Sequence, residues 1–250
     1  MATPLPLAMR TALVTGAGRR VGAAIARALH AAGANVVVHY RSSRAEAETL
    51  AGELNRLRAQ SALALHADLL ELDRHPRLIA DAIAAFGALD VLVNNASTFY
   101  PTPLGSITSA AWDDLMGSNL KAPLFLSQAA APALRARCGL ILNLVDIHGL
   151  RPLPEYPVYS SAKAGLIMLT RALARELGPE IRVNGIAPGP VMWPEGEIDD
   201  AMKQEIVRKT VLKRLGSPED VAKCAVYFAA DAPFVTGQII AVDGGRSLGW

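Results

Sequence analysis

The chain has 250 residues, with 25 Lys and Arg against 23 Asp and Glu and a formal net charge of +2. That length suits one α/β domain with a full core. The basic residues are scattered and form no stripe of the kind that tracks nucleic-acid phosphates, so no nucleic-acid partner is expected. No apolar run reaches the ~18 residues that a membrane span needs, and the opening "MATPLPLAMR" is too short and too Pro-broken to read as a signal peptide. No membrane partner and a cytoplasmic location are therefore expected. Cys138 and Cys224 stand alone in Ala- or Leu-rich surroundings and read as packing residues, and the five histidines show no metal-ligand spacing, so no metal site is expected.

Taken in chain order, seven short runs are rich in β-formers: residues 11–16 (TALVTG), 35–40 (NVVVHY), 61–68 (SALALHAD), 89–96 (LDVLVNNA), 139–145 (GLILNLV), 181–188 (IRVNGIAP) and 237–245 (GQIIAVDGG). Their apolar residues are continuous rather than alternating, as in parallel strands buried on both faces. Between them lie Ala/Leu-rich segments with helical spacing, such as "VGAAIARALHAAG", whose Gly33 reads as a C-cap. Strand–helix alternation along the whole chain predicts a doubly wound parallel α/β sheet of about seven strands with helices on both faces. There is no internal repeat or linker, so residues 1–250 read as one domain. The Pro/Gly-rich stretch "PGPVMWPEGEIDD" interrupts the alternation and predicts a substrate lid near residues 188–212, with a mere surface excursion as the plain alternative.

"VTGAGRRVGAAIA" places Gly16, Gly18 and Gly22 between the first strand and the first helix. Glycines there permit a tight turn and close backbone approach, and the helix N-terminus offers N–H groups to a pyrophosphate. This predicts a Rossmann-type dinucleotide site. The end of the second strand selects the dinucleotide. An NAD-preferring site needs an acidic residue there for the ribose 2′-hydroxyl. Here the strand runs into "HYRSSR", with His39, Arg41, Ser42, Ser43 and Arg44 and no acid. Arg and Ser donate to a 2′-phosphate that a carboxylate would repel. Arg19 and Arg20 add positive charge in the glycine loop. The expected cofactor is NADPH; a solvated basic turn opening a helix is the plain alternative.

Tyr159 and Lys163 lie one helical turn apart and share a face. An ammonium there would stabilise phenolate and lower the Tyr159 pKa towards a range useful for general acid chemistry. Thirteen residues upstream stands Asp146, at the end of an apolar run.

Together these motifs resemble the short-chain dehydrogenase/reductase family over nearly the entire chain. The matching pieces are "TGAGRRVG", "AD" at 67–68, "NNA" at 94–96, Asn119, "YSSAK" at 159–163, "PG" at 188–189 and the closing "VDGG". The resemblance implies that Tyr159 is the proton donor, that Lys163 holds the nicotinamide ribose and that Asn119 anchors a water relay. It further implies a cofactor site formed by Gly16, Gly18, Arg19, Arg20, Val21, Gly22, His39, Arg41, Ser42 and Ser43, with Asp68 and Leu69 at the adenine. Asn95, Ala96, Ser97, Tyr159, Lys163, Pro188 and Gly189 complete that site, and a homotetramer is expected. Three departures point within the family: Arg20 replaces the usual third glycine, "NNAS" stands for "NNAG", and Asp146 occupies a position where serine is usual. These are similar to the pteridine reductase branch and its role in pterin and folate metabolism. By that resemblance Phe99 stacks on a pterin, Ser97 touches cofactor and substrate, and Trp193 belongs to the lid. Asp146 and Tyr159 complete the substrate-binding set.

Asp146 supports the same choice on physical grounds. Hydride addition to a ketone builds negative charge on oxygen. A serine hydroxyl can donate to that oxygen and an ionised carboxylate cannot. Two like charges ~4 Å apart at an effective dielectric near ~20 repel by about 4 kcal/mol, roughly a thousandfold in rate. Reduction of C=N carries no such penalty, and a carboxylate accepts well from the amino and ring N–H groups of a pterin. A buried, neutral Asp146 could instead donate like serine, and a strand-end aspartate can simply cap the next turn. The expected activity is therefore NADPH-dependent reduction of dihydropterin to tetrahydropterin, with dihydrofolate as a further candidate. A 3-oxoacyl-(acyl-carrier-protein) or other ketone reductase is the enzyme alternative. A non-catalytic NADPH-binding regulator is the alternative of another class, and the intact Tyr159, Lys163 and Asn119 argue against it.

Overall fold

The computed structural model describes residues 5–193 and 199–249. Among the described residues, seven strands form one sheet: β1 (Thr11–Val14), β2 (Asn35–Tyr40), β3 (Ala62–His66), β4 (Val91–Asn94), β5 (Leu140–Leu144), β6 (Arg182–Pro188) and β7 (Ile239–Val242). Every neighbouring pair is parallel, in the order β3-β2-β1-β4-β5-β6-β7. Each expected run contains its strand: β2 coincides with its run, and the other six strands are shorter than theirs.

Around the sheet lie α1 (Arg20–Ala31), α2 (Arg44–Leu57), α3 (His75–Phe86), α4 (Ser109–Met116), α5 (Ala122–Arg135), α6 (Pro157–Leu177), α7 (Asp200–Arg208) and α8 (Pro218–Ala230). Alternate strand residues feed opposite cores, as the period of two requires. Val36 and Val38 pack with Ile25 and Leu29 of α1, Leu50 of α2 and Phe228 of α8. Val37 faces the other way, with Leu78 of α3, Leu126 and Leu134 of α5 and Leu177 of α6. The chain winds outward from β1 to β3, then crosses back to start β4 on the other side of β1. That reversal opens a crevice at the carboxyl ends of β1 and β4, where such sheets bind ligands. The helix α1 stops as expected: Ala32 closes the last turn and Gly33 follows at φ +110°. Cys138 departs from its expected packing role, because it is exposed in the tight turn after α5, at φ +49°. Cys224 is half-buried, and burial pushes its thiol up to about 11.

Two buried polar arrangements fix the strands in place. Asp90 is buried just before β4 and accepts from Thr11 N (2.9 Å), Arg10 Nη1 (2.7 Å) and Arg137 Nε (2.9 Å), which ties the starts of β1, β4 and β5 together. Deeper in, Asn94 Nδ2 donates to Asn143 Oδ1 (2.8 Å) and Ser127 Oγ (3.2 Å), Asn143 Nδ2 to Thr170 Oγ1 (2.9 Å), and Thr170 Oγ1 to Leu166 O (2.8 Å). All four side chains are buried, so this neutral chain joins β4 and β5 to α5 and α6 with its donors satisfied. Asn143→Ala leaves Asn94 and Thr170 without their partner and should cost about 2–3 kcal/mol, lowering Tm by roughly 4–12 °C. Pairing it with Asn94→Ala should cost clearly less than the two single losses added. Thermal unfolding of the three variants tests this, and additive losses would mean that the chain does not act as a unit.

Candidate active site

The loop after β1 is held by side chains from the end of β4. Thr15 Oγ1 accepts from Asn95 N and Ala96 N (both 2.9 Å), and Asn95 Nδ2 donates to Thr15 O (2.8 Å) and Gly16 O (3.1 Å). Gly22 is required by this closeness: a Cβ there would lie 2.5 Å from Asn95 Nδ2 and from Gly16 O. A Cβ on Gly18 would lie 2.7 Å from Ser43 Oγ, so the turn after β2 abuts the glycine loop. Arg20 holds the left-handed conformation, φ +56°, at the position where the resemblance places glycine. Its Nη2 donates to Trp193 O (3.2 Å), so the loop reaches the base of the expected lid.

Arg41 and Ser42 are exposed and Ser43 is half-buried beside the loop, whereas Arg44 pairs with Glu48 (2.7 Å) on its own helix. Arg19 is exposed and Val21 half-buried at the start of α1. Across β3, Asp68 Oδ1 accepts from Leu70 N (2.9 Å), next to the buried Leu69. Pro188 ends β6, and Gly189 is held by Val242 O (3.0 Å) against Asp243. His39 differs from the other residues of "HYRSSR". The sequence groups it with an exposed basic turn, but it is buried and neutral, its titration lowered to about 4 chiefly by burial. Its ring meets Gly16 N and Ala67 O instead of solvent.

The chemistry-bearing residues meet at the end of β5. Helix α6 starts at Pro157, whose missing N–H is tolerated in a first turn, and it presents Tyr159 and Lys163 to that strand end. Lys163 is buried and donates to Leu144 O (2.8 Å), with its Nζ 5.6 Å from the centre of the Tyr159 ring. Asp146 uses both oxygens: Oδ1 accepts from His148 N (2.8 Å), capping the short turn Ile147–Gly149, and Oδ2 accepts from the Tyr159 hydroxyl (2.8 Å). Capping and contact with the tyrosine are thus not alternatives, because one carboxylate does both. Lys163 was expected to lower the Tyr159 pKa, and here the structure corrects the sequence. Burial first, then the Asp146 charge, raise the phenol well above its ordinary 10. Burial also lowers Lys163 to about 8 against a smaller upward pull from Asp146.

Asn119 is buried in a π-helical turn, Gly117–Lys121, between α4 and α5. Such turns often mark functional sites. This one frees the Asn119 side chain to donate to Thr98 O (2.9 Å) and Leu115 O (3.0 Å) while its Oδ1 accepts from Ser97 Oγ (2.7 Å). Phe99 is 47% exposed and stacks on Tyr156 (ring centres 4.6 Å, 12°), with Tyr159 edge-on at 4.8 Å. Sequence reasoning missed Tyr156; an aromatic three residues before the Tyr/Lys pair was the available signal. Thr102 N donates to Glu155 O (2.7 Å), tying the two loops that carry these rings. Of the expected lid, residues 194–198 lie outside the described residues. Its remainder contains α7, capped by Asp199 Oδ1 on Met202 N (2.7 Å). Trp193 lines a cavity of about 370 Å³ with Lys203, Gln204, Val207 and Arg208. Among the described residues no helix is long and apolar enough to cross a membrane, and no three His, Cys, Asp or Glu group as a metal site.

A glycine turn packed closely at Gly18 and Gly22, an adjoining turn with Arg41 and two serines, and a buried ammonium with one N–H on Leu144 O suit a dinucleotide. With Tyr159 beside them, they define a Rossmann-type oxidoreductase. Comparison with known proteins agrees. The family profile described as Enoyl-(Acyl carrier protein) reductase matches residues 16–247. Pteridine reductase 1 of Leishmania tarentolae is 38% identical, covering 95% of this chain and 96% of its own. The 3-oxoacyl-(acyl-carrier-protein) reductases of Staphylococcus aureus (36% identical, 96% and 98%) and Chlamydia trachomatis (35%, 96% and 98%) are similar over the same span. The chain belongs to the short-chain dehydrogenase/reductase family, whose members use nicotinamide cofactors.

Lys163 gives the site a measurable signature. Between pH 8 and 10.5 the unfolded chain holds the lysine proton more tightly than the folded one, so this residue's contribution to stability rises with pH through that window. Tyr159, shifted upward, opposes it only above pH 10. From pH 8 to pH 10 the wild type should therefore gain about 2 kcal/mol relative to Lys163→Met in denaturant unfolding. A constant difference would mean that burial does not disfavour the ammonium.

Proposed function

We propose that this chain is an NADPH-dependent reductase of pteridines, transferring hydride to a C=N bond of a dihydropterin, with dihydrofolate as a further substrate. The observation that carries this reading is the Asp146 carboxylate 2.8 Å from the Tyr159 hydroxyl. An oxygen that gains negative charge within reach of Tyr159 would meet that carboxylate. A C=N nitrogen accepts a proton instead, and the ring N–H and amino groups of a pterin donate to a carboxylate.

When bound, the reduced nicotinamide supplies the hydride. The chain's own residues do the rest. Burial and Asp146 keep the Tyr159 phenol protonated at neutral pH, so it can act as the acid, and the Lys163 ammonium offsets the charge left when the proton departs. Phe99, backed by Tyr156, offers a flat aromatic face to a flat heterocycle. The likeness to pteridine reductase 1 supports the same substrate class. The likeness to 3-oxoacyl-(acyl-carrier-protein) reductases favours a thioester ketone as the second reading.

Asp146→Ser separates the two. NADPH oxidation is measured with dihydrobiopterin, dihydrofolate and an acetoacetyl thioester, for the wild type and for Asp146→Ser. Pterin reduction should fall and any ketone reduction should rise, by up to roughly a thousandfold if the full repulsion is relieved. An unchanged pterin rate would leave Asp146 as a turn cap and remove the preference for C=N.

NADPH is favoured by the absence of an acid after β2 and by Arg41, Ser42 and Ser43 beside the glycine loop. Losing a charge-assisted phosphate contact costs about 1.5–3 kcal/mol. Arg41→Ala should weaken NADPH about tenfold or more in a binding titration and leave NADH nearly unchanged. Tighter binding of NADH by the wild type would overturn the cofactor reading.

A further inference from the structure

His39 lies where three backbone segments meet, and nothing in the proposed chemistry uses it. Gly16 N–H donates to its Nδ1 (3.1 Å), so Nδ1 is unprotonated and the proton sits on Nε2, which donates to Ala67 O (3.0 Å). Its backbone oxygen accepts from Ala17 N (2.9 Å), and Ala67 N in turn donates to Tyr40 O (3.1 Å). The ring is 1% exposed. One imidazole therefore joins the glycine loop after β1, the end of β2 and the loop after β3. Gly16 and Ala17 spend their N–H groups on His39 and are withdrawn from the donors that face a phosphate.

We propose that His39 is a positioning residue for the dinucleotide: its neutral ring sets the spacing between the glycine loop, the Arg41–Ser43 turn and the Asp68–Leu69 loop, and so favours the cofactor bearing a 2′-phosphate. The inference rests on the NADPH reading above. The ring acts as a pivot and the turn after β2 as a lever. Residues 41–43 begin one residue beyond Tyr40, and Ser43 Oγ already lies 2.7 Å from where a Gly18 Cβ would stand. A shift of a few tenths of an ångström at the ring moves that turn against the loop. The 2′-phosphate would be held across this junction, whereas the groups common to both cofactors are also held elsewhere. A charged imidazole could not serve, since a protonated Nδ1 would face the Gly16 N–H donor. Burial first, with His66 and His75 adding to it, keeps the ring neutral against the opposing pull of the Ala67 hydrogen bond and, less, of Asp68.

Three measurements on the full chain test this. Nitrogen-15 correlation spectra of the imidazole should show the Nε2–H tautomer between pH 6 and 8, with the Gly16 amide protected from exchange. Fluorescence titration should show His39→Leu weakening NADPH about tenfold and NADH no more than about threefold. His39→Asn, which keeps an acceptor for Gly16, should recover NADPH binding to within about threefold of the wild type. An Nδ1–H or charged ring, an unprotected Gly16 amide, an equal loss of both cofactors in His39→Leu, or no recovery in His39→Asn would each overturn the proposal. If His39→Leu does not fold, the wild-type spectra and His39→Asn decide. A wild type that prefers NADH would sink the cofactor reading by itself, while the tautomer and the Gly16 amide still judge the pivot.

Discussion

Two hydrogen bonds from α6 to the end of β5 organise everything else in this molecule. Lys163 reaches Leu144 O and Tyr159 reaches Asp146, two residues further along the same strand end. The strand is central in the sheet and buried on both faces, so its carboxyl end is a fixed point. A helix pinned there at both an ammonium and a phenol cannot rotate without exposing one of them to an unmatched neighbour. The buried Asn143–Thr170 bond adds a third tie between the same two elements, one that carries no charge. The arrangement explains how a site built mostly from loops keeps its geometry. Its ionisable groups hang from the most constrained part of the fold.

The cost of the arrangement is electrostatic. Burial disfavours the charged forms of the lysine and the tyrosine, and both move in the directions expected for that. The Asp146 charge pulls the lysine back upward and adds to the rise of the phenol. Tyr159 therefore holds its proton at neutral pH with the Lys163 ammonium close to its ring.

Much of this was legible in the sequence, for identifiable reasons. The strands announced themselves because parallel strands buried on both faces are continuously apolar, and Val36, Val37 and Val38 serve both cores. The Tyr159–Lys163 pair was legible from helical spacing, and Asp146 from its distance to it. Other features depend on contacts between distant segments and leave no local trace. The π-helical turn around Asn119 looks like ordinary helix in sequence. His39 looks like part of a basic turn, since alternation of side chains along β2, not composition, turns it inward. The direction of the Tyr159 shift was hidden because spacing reveals the cation and says nothing of burial or of the contact with Asp146, which raise the phenol. Tyr156 stayed hidden because its partner, Phe99, lies far away in the chain.

The bond from Thr102 N to Glu155 O has a consequence for how such a protein can change over evolutionary time. With the Phe99–Tyr156 stack it makes the two walls of the proposed substrate cleft one piece, although they leave different strands. Lengthening either loop would break the seam, and both aromatic faces would be lost together. Single-residue exchange within fixed loop lengths leaves the seam whole. New substrate preferences should therefore arise here by swapping side chains on a preserved frame, and positions 97, 99, 146 and 156 are where that drift has room to act.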